Sequence, residues 1–434
     1  MEDTLRQLLF DKVAPNHLGE VRQLMAYIEA RCPYGEPIFL SLGESFQQPP
    51  KALLDKLGQA PAFTHGYQLS MYGLPYLRNL ASSYIRENVN LSAAVEQGRE
   101  YEISISWSGT RDAMYDYGQL LIDRYFKHAK PKVLMVAPGY DYNDIFENLG
   151  FETTFVALDK KNGYSPDIKK FKAALDSNSK YLIIINAQHN PTSRNWSPKF
   201  VRQLLDLAFS EDFPVLIDDA FYGVVRPNVR PTSALAILLD LVVKEKNYQA
   251  PWFYVRTFGK QYGIQGWGLG ILAANPEVLD LFVNSYRTQH LYNYNGMLQY
   301  ALAQWLSTNE PEQFLRQRNK LIFDNKRLFE EALIDRFGYP RDKITSGEST
   351  PFLLFDAPKY YDQAGRGYRE FLDACLELGI VLTDAWPRPF VSNKNEHEYY
   401  GIRAYMGVCR DVVEALISRL ESHGFAYDMR QFNR

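Results

Sequence analysis

The sequence contains little cysteine. Its 434 residues include three, Cys32, Cys375 and Cys409, which lie far apart and form no CxxC pair and no cluster with histidine. An odd number of cysteines at these spacings provides neither a disulfide framework nor a zinc site. The sequence therefore predicts no metal centre.

An excess of charge and long apolar runs are also missing. Lysine and arginine total 48 against 51 aspartate and glutamate residues, which gives a net charge of −3. This balance indicates neither a nucleic-acid partner nor binding to an anionic membrane. The apolar runs are too short and too interrupted to span a bilayer. Because residues 1–15 also lack the cationic start and apolar core of a secretory signal, we expect a cytoplasmic protein.

A glycine-rich nucleotide-binding fingerprint is absent as well. No GxGxxG sequence follows the first strand of a predicted βαβ unit. That motif lets the backbone approach a pyrophosphate closely, so its absence counts against a nicotinamide-dependent dehydrogenase.

What the sequence does contain is a regular alternation of apolar strand-like runs and helical patterns. Strands are predicted over 102–106, 132–137, 152–158, 180–186, 214–218, 252–258 and 269–274. Helices are predicted over 111–128, 141–149, 166–176, 198–209 and 233–245. This alternation predicts the α/β class, with a mostly parallel seven-stranded sheet and helices on both faces. The last two strands have no helix between them, which allows them to pair antiparallel.

The pattern changes to α+β after about residue 310, where helices and short strands no longer alternate strictly. We therefore predict a large ligand-binding domain over 49–308 and a smaller α+β domain over 309–434. The N-terminal segment, 1–48, is expected to join the small domain. No internal repeat or low-complexity tract is present.

Lys260 is the first candidate for chemistry. It follows the predicted strand 252–258 almost at once, in a loop with glycines on both sides. Ligands of such sheets bind at the carboxyl ends of the strands. Burial disfavours the charged form of an amine, so a lysine there can be a nucleophile near neutral pH. The ordinary alternative is a solvated lysine on a flexible loop.

Other polar residues occupy equivalent places. Ser108, Gly109 and Thr110 stand where a strand turns into a helix, so that free N–H groups can hold an anion, although Ser and Thr are also common helix caps. Asp218 ends a buried strand and needs a cationic or hydrogen-bonding partner, for which a protonated ring nitrogen or a structural salt bridge would serve.

Each of three further residues is compatible with a functional role and with a purely structural one. Tyr140, just past a strand, can lie against a flat heteroaromatic ligand or pack in the core. Asn190 precedes a proline and is typical of a plain turn. Arg403 offers a planar fork for a carboxylate, although single arginines are more often solvated.

In their order along the chain these segments resemble the class I/II family of pyridoxal-phosphate-dependent aminotransferases, which have the aspartate aminotransferase fold. YGLPYLRNLA, SGTRDAM, PGYDY, HNPTS, DDAFYG, TFGKQYGIQGWGLG and GIRAYMG each match a family segment. The resemblance covers nearly the whole chain, and the lysine loop and HNPTS are its specific parts. It implies pyridoxal 5'-phosphate as the cofactor, an amino acid and a 2-oxo acid as substrates, and a homodimer.

The resemblance also implies roles around the cofactor ring. Lys260 would bond covalently to the cofactor aldehyde and then move a proton at the substrate Cα. Asp218 would pair with the ring nitrogen and Asn190 with the ring hydroxyl, while Tyr140 would stack on the ring. These roles describe a two-stage transamination with the lysine as acid and base and the ring as electron sink.

Phosphate and substrate contacts follow from the same resemblance. Arg403 would grip the substrate α-carboxylate, and Tyr67 would reach the phosphate of the neighbouring subunit. The residues implied around the phosphate are Ser108, Gly109, Thr110, Arg111 and Thr257. Those implied at the substrate entry are Ser41 and Gly43.

The chain departs from the family at the phosphate cation. Gly268 replaces the arginine of the lysine loop. Arg111, on the phosphate loop, or Arg256 would then have to substitute for it, and we favour Arg111.

Three more departures concern the reaction. Phe221 replaces the tyrosine that bonds the ring hydroxyl, and the adjacent Tyr222 should face the other way on an extended strand. Ser193 replaces the glycine of HNPTG, and Gly259 replaces the serine before the lysine. Loss of this tyrosine would change the proton affinity of the cofactor. Such a change favours reactions of the same cofactor other than transamination.

We therefore expect a pyridoxal-phosphate-dependent aminotransferase of amino-acid metabolism, and the alternative is a lyase, decarboxylase or oxidase of the same fold. A ligand-sensing regulator with this fold is a further possibility. It would carry an N-terminal DNA-binding domain, for which residues 1–35 are too short in a chain that is not basic.

Overall fold

The structure, a computed structural model, describes residues 25–41, 49–127, 129–244, 248–362, 367–385 and 401–433. Within the first of these ranges, residues 25–29 are helical. Among the described segments, none of the helices combines the length and the apolar character that crossing a membrane requires.

A seven-stranded sheet forms the centre of the molecule. A short strand, β1 (Ile38–Phe39), precedes it. The sheet consists of β2 (Glu102–Ser106), β3 (Lys132–Ala137), β4 (Glu152–Ala157), β5 (Tyr181–Ile185), β6 (Val215–Asp218), β7 (Trp252–Thr257) and β8 (Gly270–Ala274). Each lies within a stretch that the apolar runs predict, because a strand buried on both faces is apolar along its whole length.

The strand order is β2-β8-β7-β6-β5-β3-β4. The pairs from β7 to β4 are all parallel, and β8 alone runs antiparallel to both of its neighbours, β2 and β7. The short glycine loop between β7 and β8 contains no crossover helix, which is why this pair is antiparallel. The prediction of a mostly parallel seven-stranded α/β sheet is confirmed.

Helices cover both faces of this sheet. They are α1 (Lys51–Leu57), α2 (Pro75–Asn88), α3 (Thr110–Leu120), α4 (Tyr142–Glu147), α5 (Ile168–Ala174), α6 (Pro198–Ser210), α7 (Ala234–Lys244), α8 (Gly259–Tyr262), α9 (Pro276–Leu281), α10 (Thr288–His290) and α11 (Gly296–Leu306). Alternate residues of β3 show the two faces, since Leu134 and Val136 pack in one apolar cluster and Val133 and Met135 in another.

A smaller region follows along the chain. Its helices are α12 (Glu310–Asp335), α13 (Lys359–Asp362), α14 (Gly367–Glu377) and α15 (Arg410–Ser422). Its strands are β9 (Ile344–Thr345), β10 (Phe352–Phe355), β11 (Ile380–Val381), β12 (Thr383–Asp384) and β13 (Ile402–Tyr405). Four of them form an antiparallel sheet in the order β12-β13-β10-β9.

The N-terminal strand contacts this smaller region. Strand β1 pairs in parallel with β11, and the Tyr405 N–H donates to the Leu40 carbonyl at 2.9 Å. The predicted joining of the whole segment 1–48 to the smaller domain stays a prediction. The division into 49–308 and 309–434 stays a prediction.

Candidate active site

One cavity of about 420 Å³ lies at the carboxyl ends of the central strands. This is the edge at which ligands bind in sheets of this kind. The predicted residues that line it are Gly109, Thr110, Arg111, Tyr140, Asn190, Asp218, Thr257, Lys260 and Arg403. Residues far apart in sequence therefore meet in one place, as the strand order requires.

The lysine is presented by a single helical turn. Strand β7 ends at Thr257, and Lys260 lies in α8, which Gly263 ends with a left-handed φ of +69°. The Thr257 hydroxyl accepts a hydrogen bond from the Gly259 N–H at 2.9 Å and so holds the start of the turn. A Cβ at Gly259 would lie 2.8 Å from the Cα of Gln265. Glycine at 259 therefore lets the loop fold back until Gln265 lines the cavity.

Gly268 brings the same loop against the phosphate-loop turn. Its carbonyl accepts from the Gly109 N–H at 2.8 Å. A Cβ at Gly268 would lie 3.1 Å from the Gly109 nitrogen and from the Trp107 oxygen, and its φ of +66° disfavours any side chain. Glycine at position 268, where the family resemblance has arginine, therefore lets the two backbones approach closely.

Ser108 faces away from the cavity that Gly109 and Thr110 line. Its hydroxyl donates to the Asp112 carboxylate at 2.5 Å and contacts the guanidinium of Arg287. Arg287 is completely buried and lies 3.8 Å from the Asp116 carboxylate. The hydroxyl of Ser108 is therefore engaged in a charged cluster behind the loop.

The two arginines proposed to replace the lost cation lie in different surroundings. Arg111, in the first turn of α3, lines the cavity, donates to the Tyr140 hydroxyl at 3.1 Å and lies 3.7 Å from the Asp144 carboxylate. Arg256 is buried behind the sheet edge, 4.5 Å from the Tyr84 ring and 4.7 Å from the Tyr222 ring. Only Arg111 of these two lines the cavity.

Asp218 provides a buried carboxylate on the cavity wall. The Tyr142 hydroxyl donates to one oxygen at 2.6 Å and the Ala220 N–H to the other at 3.0 Å. Burial raises the pKa of Asp218 from 3.8 to about 6, and these two donors offset only part of that effect. Burial also raises the pKa of Tyr142, so its hydroxyl remains a donor. The carboxylate would gain from a cation in the cavity.

Asp219 belongs to the other side of the strand. Burial raises its pKa to about 7, and the charge of Arg256 partly offsets this. Phe221 lines the cavity, whereas the Tyr222 hydroxyl donates to the Asn88 carbonyl at 3.0 Å on the far side. Tyr222 faces away as expected, although residues 220–223 form a turn and not the extended strand on which the expectation rested.

Arg403 and Asn190 meet across the cavity mouth. The Arg403 guanidinium donates to the Asn190 side-chain oxygen at 3.3 Å and to the Ser41 carbonyl at 2.9 Å. It also lies 4.8 Å from the centre of the Phe352 ring. Ser41 thus holds the arginine through its backbone, and Gly43 lies outside the described residues.

Tyr67 is not part of the cavity of its own chain. Its side chain is 72% exposed, and its ring lies 5.3 Å from that of Tyr292. The predicted role of Tyr67 toward a neighbouring subunit stays a prediction.

Several residues of the site are not among the sequence candidates. They are Met114, Asp141, Tyr142, Asn186, Ala220, Gln265 and Phe352. For two of them a signal existed, since Asn186 ends the predicted strand 180–186 and Tyr142 belongs to the PGYDY segment after the predicted strand 132–137. Phe352 lies on a strand of the smaller sheet, where nothing local marks a residue that faces the cavity.

Comparison with known proteins defines the family. The model of aminotransferase class I and II matches residues 111–384, so the chain belongs to this family. The aspartate aminotransferase of Sulfolobus acidocaldarius is 24% identical over 214 residues, 48% of each chain. The LL-diaminopimelate aminotransferase of Methanococcus maripaludis is 27% identical over 147 residues, 34% of this chain and 33% of that one. These matches span about half of the first relative's length and a third of the second's.

Solved structures show the same fold over a longer range. The Thermus thermophilus aspartate aminotransferase double mutant has a TM-score of 0.73 at 16% identity and covers 94% of this chain and 97% of its own. The aromatic aminotransferase of Pyrococcus horikoshii has a TM-score of 0.73 at 16% identity, with 92% and 98% covered. The resemblance to the aspartate aminotransferase fold is confirmed.

The raised pKa of Asp218 predicts a pH-dependent stability of the cofactor-free protein. Between 3.8 and about 6 the folded carboxyl keeps a proton that the unfolded chain releases. The free energy of unfolding therefore falls as the pH rises through this window. Asp218→Asn has no such charge, so relative to the wild type it should gain up to ~3 kcal/mol between about pH 4 and about pH 7.

Urea unfolding of both proteins at the two pH values measures this gain. Asp428→Asn, at an exposed position, is the control and should differ from the wild type equally at both pH values. An Asp218→Asn difference that does not change with pH would contradict the prediction.

Proposed function

We propose that this chain is a pyridoxal-phosphate-dependent aminotransferase that moves an amino group between an α-amino acid and a 2-oxo acid. The observation that carries the proposal is that Lys260, Asp218 and Arg403 converge on one cavity. An amine, a buried carboxylate and a forked cation are the three groups that the reaction needs. Membership of the class I and II family supports the same function.

The residues of the cavity fit the cofactor. A protonated ring nitrogen would supply the cation that the buried carboxylate of Asp218 favours. Asn190 offers an amide to the ring hydroxyl, and Tyr140 offers a ring on the cavity wall. Thr110, at the start of α3, offers its backbone N–H and the helix N-terminus to a phosphate, while the Gly109 N–H is bonded to the Gly268 carbonyl. When bound, the cofactor supplies a conjugated ring that accepts the electrons released at the substrate Cα.

Lys260 and Arg403 would act on the substrate. Arg403 orients the amino acid by binding its α-carboxylate with two parallel donors. With the cofactor bound, the Nζ of Lys260 would serve as the acid and base that moves the proton of the substrate Cα. Asp218 stays ionised beside the ring and so favours loss of that proton. The proposed reaction needs no metal ion. The three cysteines of the chain are free, which is consistent with a cytoplasmic location.

One observation favours a reaction other than transamination with the same cofactor. Phe221 lines the cavity where the family has a tyrosine, and Tyr222 lies on the far side of the strand. The ring hydroxyl would then lack one hydrogen-bond donor, which changes the proton affinity of the cofactor. The alternative function is a lyase, decarboxylase or oxidase reaction on an amino acid.

Half-reaction spectra with an amino donor test the proposed function. The wild type loaded with pyridoxal phosphate should absorb visible light and lose this band as the pyridoxamine form accumulates. Lys260→Ala should bind no cofactor covalently, should show no such band and should have no turnover. The readouts are absorbance and the mass of the borohydride-treated protein.

Release of ammonia without the pyridoxamine form would favour the alternative reaction. A Lys260→Ala protein that still bonds the cofactor covalently would refute the assignment of the lysine.

We also propose that Arg111 supplies the phosphate cation that Gly268 does not. Arg111→Ala removes a cationic side chain that lines the cavity beside Gly109 and Thr110, so the dissociation constant for pyridoxal phosphate should rise roughly tenfold or more. Arg256→Ala, at a position outside the cavity lining, should retain the cofactor better. Titration of the cofactor-free proteins measures both constants.

Pyridoxal, which lacks the phosphate, is the matched ligand, and its affinity should not depend on residue 111. Arg111→Lys keeps the charge and should lose less affinity than Arg111→Ala. Equal cofactor retention in Arg111→Ala and Arg256→Ala would rule out this replacement.

A homodimer completes the proposal. Large apolar side chains are exposed along 63–76 and 292–297, and contiguous surfaces of this kind mark interfaces. Their members, which we call the aromatic surface, are Phe63, Tyr67, Leu69, Tyr76, Tyr292 and Met297. Leu69 is fully exposed. We propose that a second copy covers the aromatic surface and that Tyr67 then reaches the phosphate site of the partner subunit.

The wild type should therefore sediment as a dimer. Leu69→Asp places a charge in the aromatic surface and should shift the protein toward monomers with a weaker affinity for pyridoxal phosphate. Tyr360→Asp alters another exposed aromatic residue outside this surface and should leave the dimer unchanged. Fully active monomers of the wild type would contradict the proposal.

A further inference from the structure

Two residues that face each other near the cavity have an unusual backbone conformation. Ser193 has a φ of +58° and Thr350 a φ of +50°, in the left-handed region that side chains other than glycine rarely adopt. The β-branched side chain of threonine makes it the more unusual of the two. Such conformations persist only where the surrounding structure fixes them, and they concentrate at functional sites.

Hydrogen bonds between the two residues fix this arrangement. The Ser193 hydroxyl donates to the Phe352 carbonyl at 2.6 Å. Its oxygen lies 2.6 Å from the Thr350 hydroxyl, which must then be the donor because the Ser193 proton is already used. The Ser193 carbonyl accepts from the N–H groups of Glu348 and Ser349, both at 2.9 Å. Ser193 and Thr350 are fully buried, so each of these bonds is shielded from water.

The segment that carries Thr350 is held from behind as well. The Nζ of Lys326, on α12, donates to the carbonyls of Ser349 and Thr350 at 3.2 Å. Gly347 passes so close that a Cβ there would lie 2.2 Å from the Ser193 oxygen. Residues on both sides of the contact therefore fix the position of Thr350 relative to Ser193.

These bonds connect the two halves of the candidate site. Ser193 belongs to the same turn as Asn190, which lines the cavity. Thr350 precedes β10, whose Phe352 packs its ring against the Arg403 guanidinium and whose Leu354 pairs with Arg403 in β13. The distance between Asn190 and Arg403 thus depends on how the turn meets the start of β10.

We propose that the Ser193–Thr350 hydrogen bond is a positioning contact that sets Arg403 for the substrate carboxylate. This inference rests on the proposed function and adds a determinant of substrate binding to it. Ser193 stands where the family resemblance has glycine, so the hydroxyl is an addition of this chain. The contact acts on the substrate arginine through β10 and does not touch the reacting atoms.

Two substitutions of Thr350 separate positioning from packing. Thr350→Val keeps the shape and removes the hydroxyl, whereas Thr350→Ser keeps the hydroxyl. Thr350→Val should raise the KM for the amino donor roughly tenfold, because a small displacement of a binding group has a large effect. Its kcat and its dissociation constant for pyridoxal phosphate should stay within about twofold of the wild type. Thr350→Ser should match the wild type in all three quantities.

Ser193→Gly provides a second route to the same answer. Glycine suits the left-handed φ and removes the hydroxyl. A purely structural role predicts that this variant is as good as the wild type or better, whereas a positioning role predicts the raised KM. If Thr350→Val does not fold, Ser193→Gly and Thr350→Ser decide the question.

The inference is overturned if Thr350→Val and Ser193→Gly both keep the KM of the wild type. It is also overturned if KM, kcat, cofactor affinity and melting temperature all deteriorate together, because that pattern indicates general loosening. A wild type that binds no pyridoxal phosphate, or converts no amino donor, refutes the proposed function itself. These outcomes are distinct, since the wild type alone tests the function and the variants test the contact.

Discussion

A carboxylate held away from water at the end of β6 is the constraint on which the rest of the site depends. Two donors, the Tyr142 hydroxyl and the Ala220 N–H, contact Asp218, yet burial still raises its pKa to about 6. A carboxylate in this state favours a cation beside it. The parallel order of β5, β6 and β7 places Asn190 on one side of Asp218 and Lys260 on the other, so the strand order itself brings an amide, a carboxylate and an amine to one cavity.

Two of the departures in the lysine loop are glycines at close backbone approaches. A side chain at Gly259 would meet the backbone of Gln265, and one at Gly268 would meet the backbone of Gly109. Both glycines therefore belong to a loop that packs directly on the start of α3. Gln265 from this loop and Arg111 from α3 both line the cavity.

Two further departures from the family, Phe221 and Ser193, lie near Phe352 and Arg403. Phe221 packs edge-on against Phe352 at 5.4 Å, and the Phe352 ring in turn supports the Arg403 guanidinium. The aromatic pair and the hydroxyl of Ser193 both act on the start of β10. Phe221 and Ser193 thus both contact Phe352 of β10, whose ring lies beside Arg403.

The sequence by itself determined the strands, their helices and the short antiparallel return at β8, because apolar periodicity and glycine loops are local properties of the chain. It also determined most of the cavity lining, since candidates at the ends of parallel strands must meet at one edge. Only the tertiary structure decided which residues each of these side chains contacts. Ser108 turns toward Asp112 and Arg287, and Arg256 lies between two tyrosine rings. Alternation along a strand fixes the face on which a side chain lies, but its contacts come from segments far away in sequence.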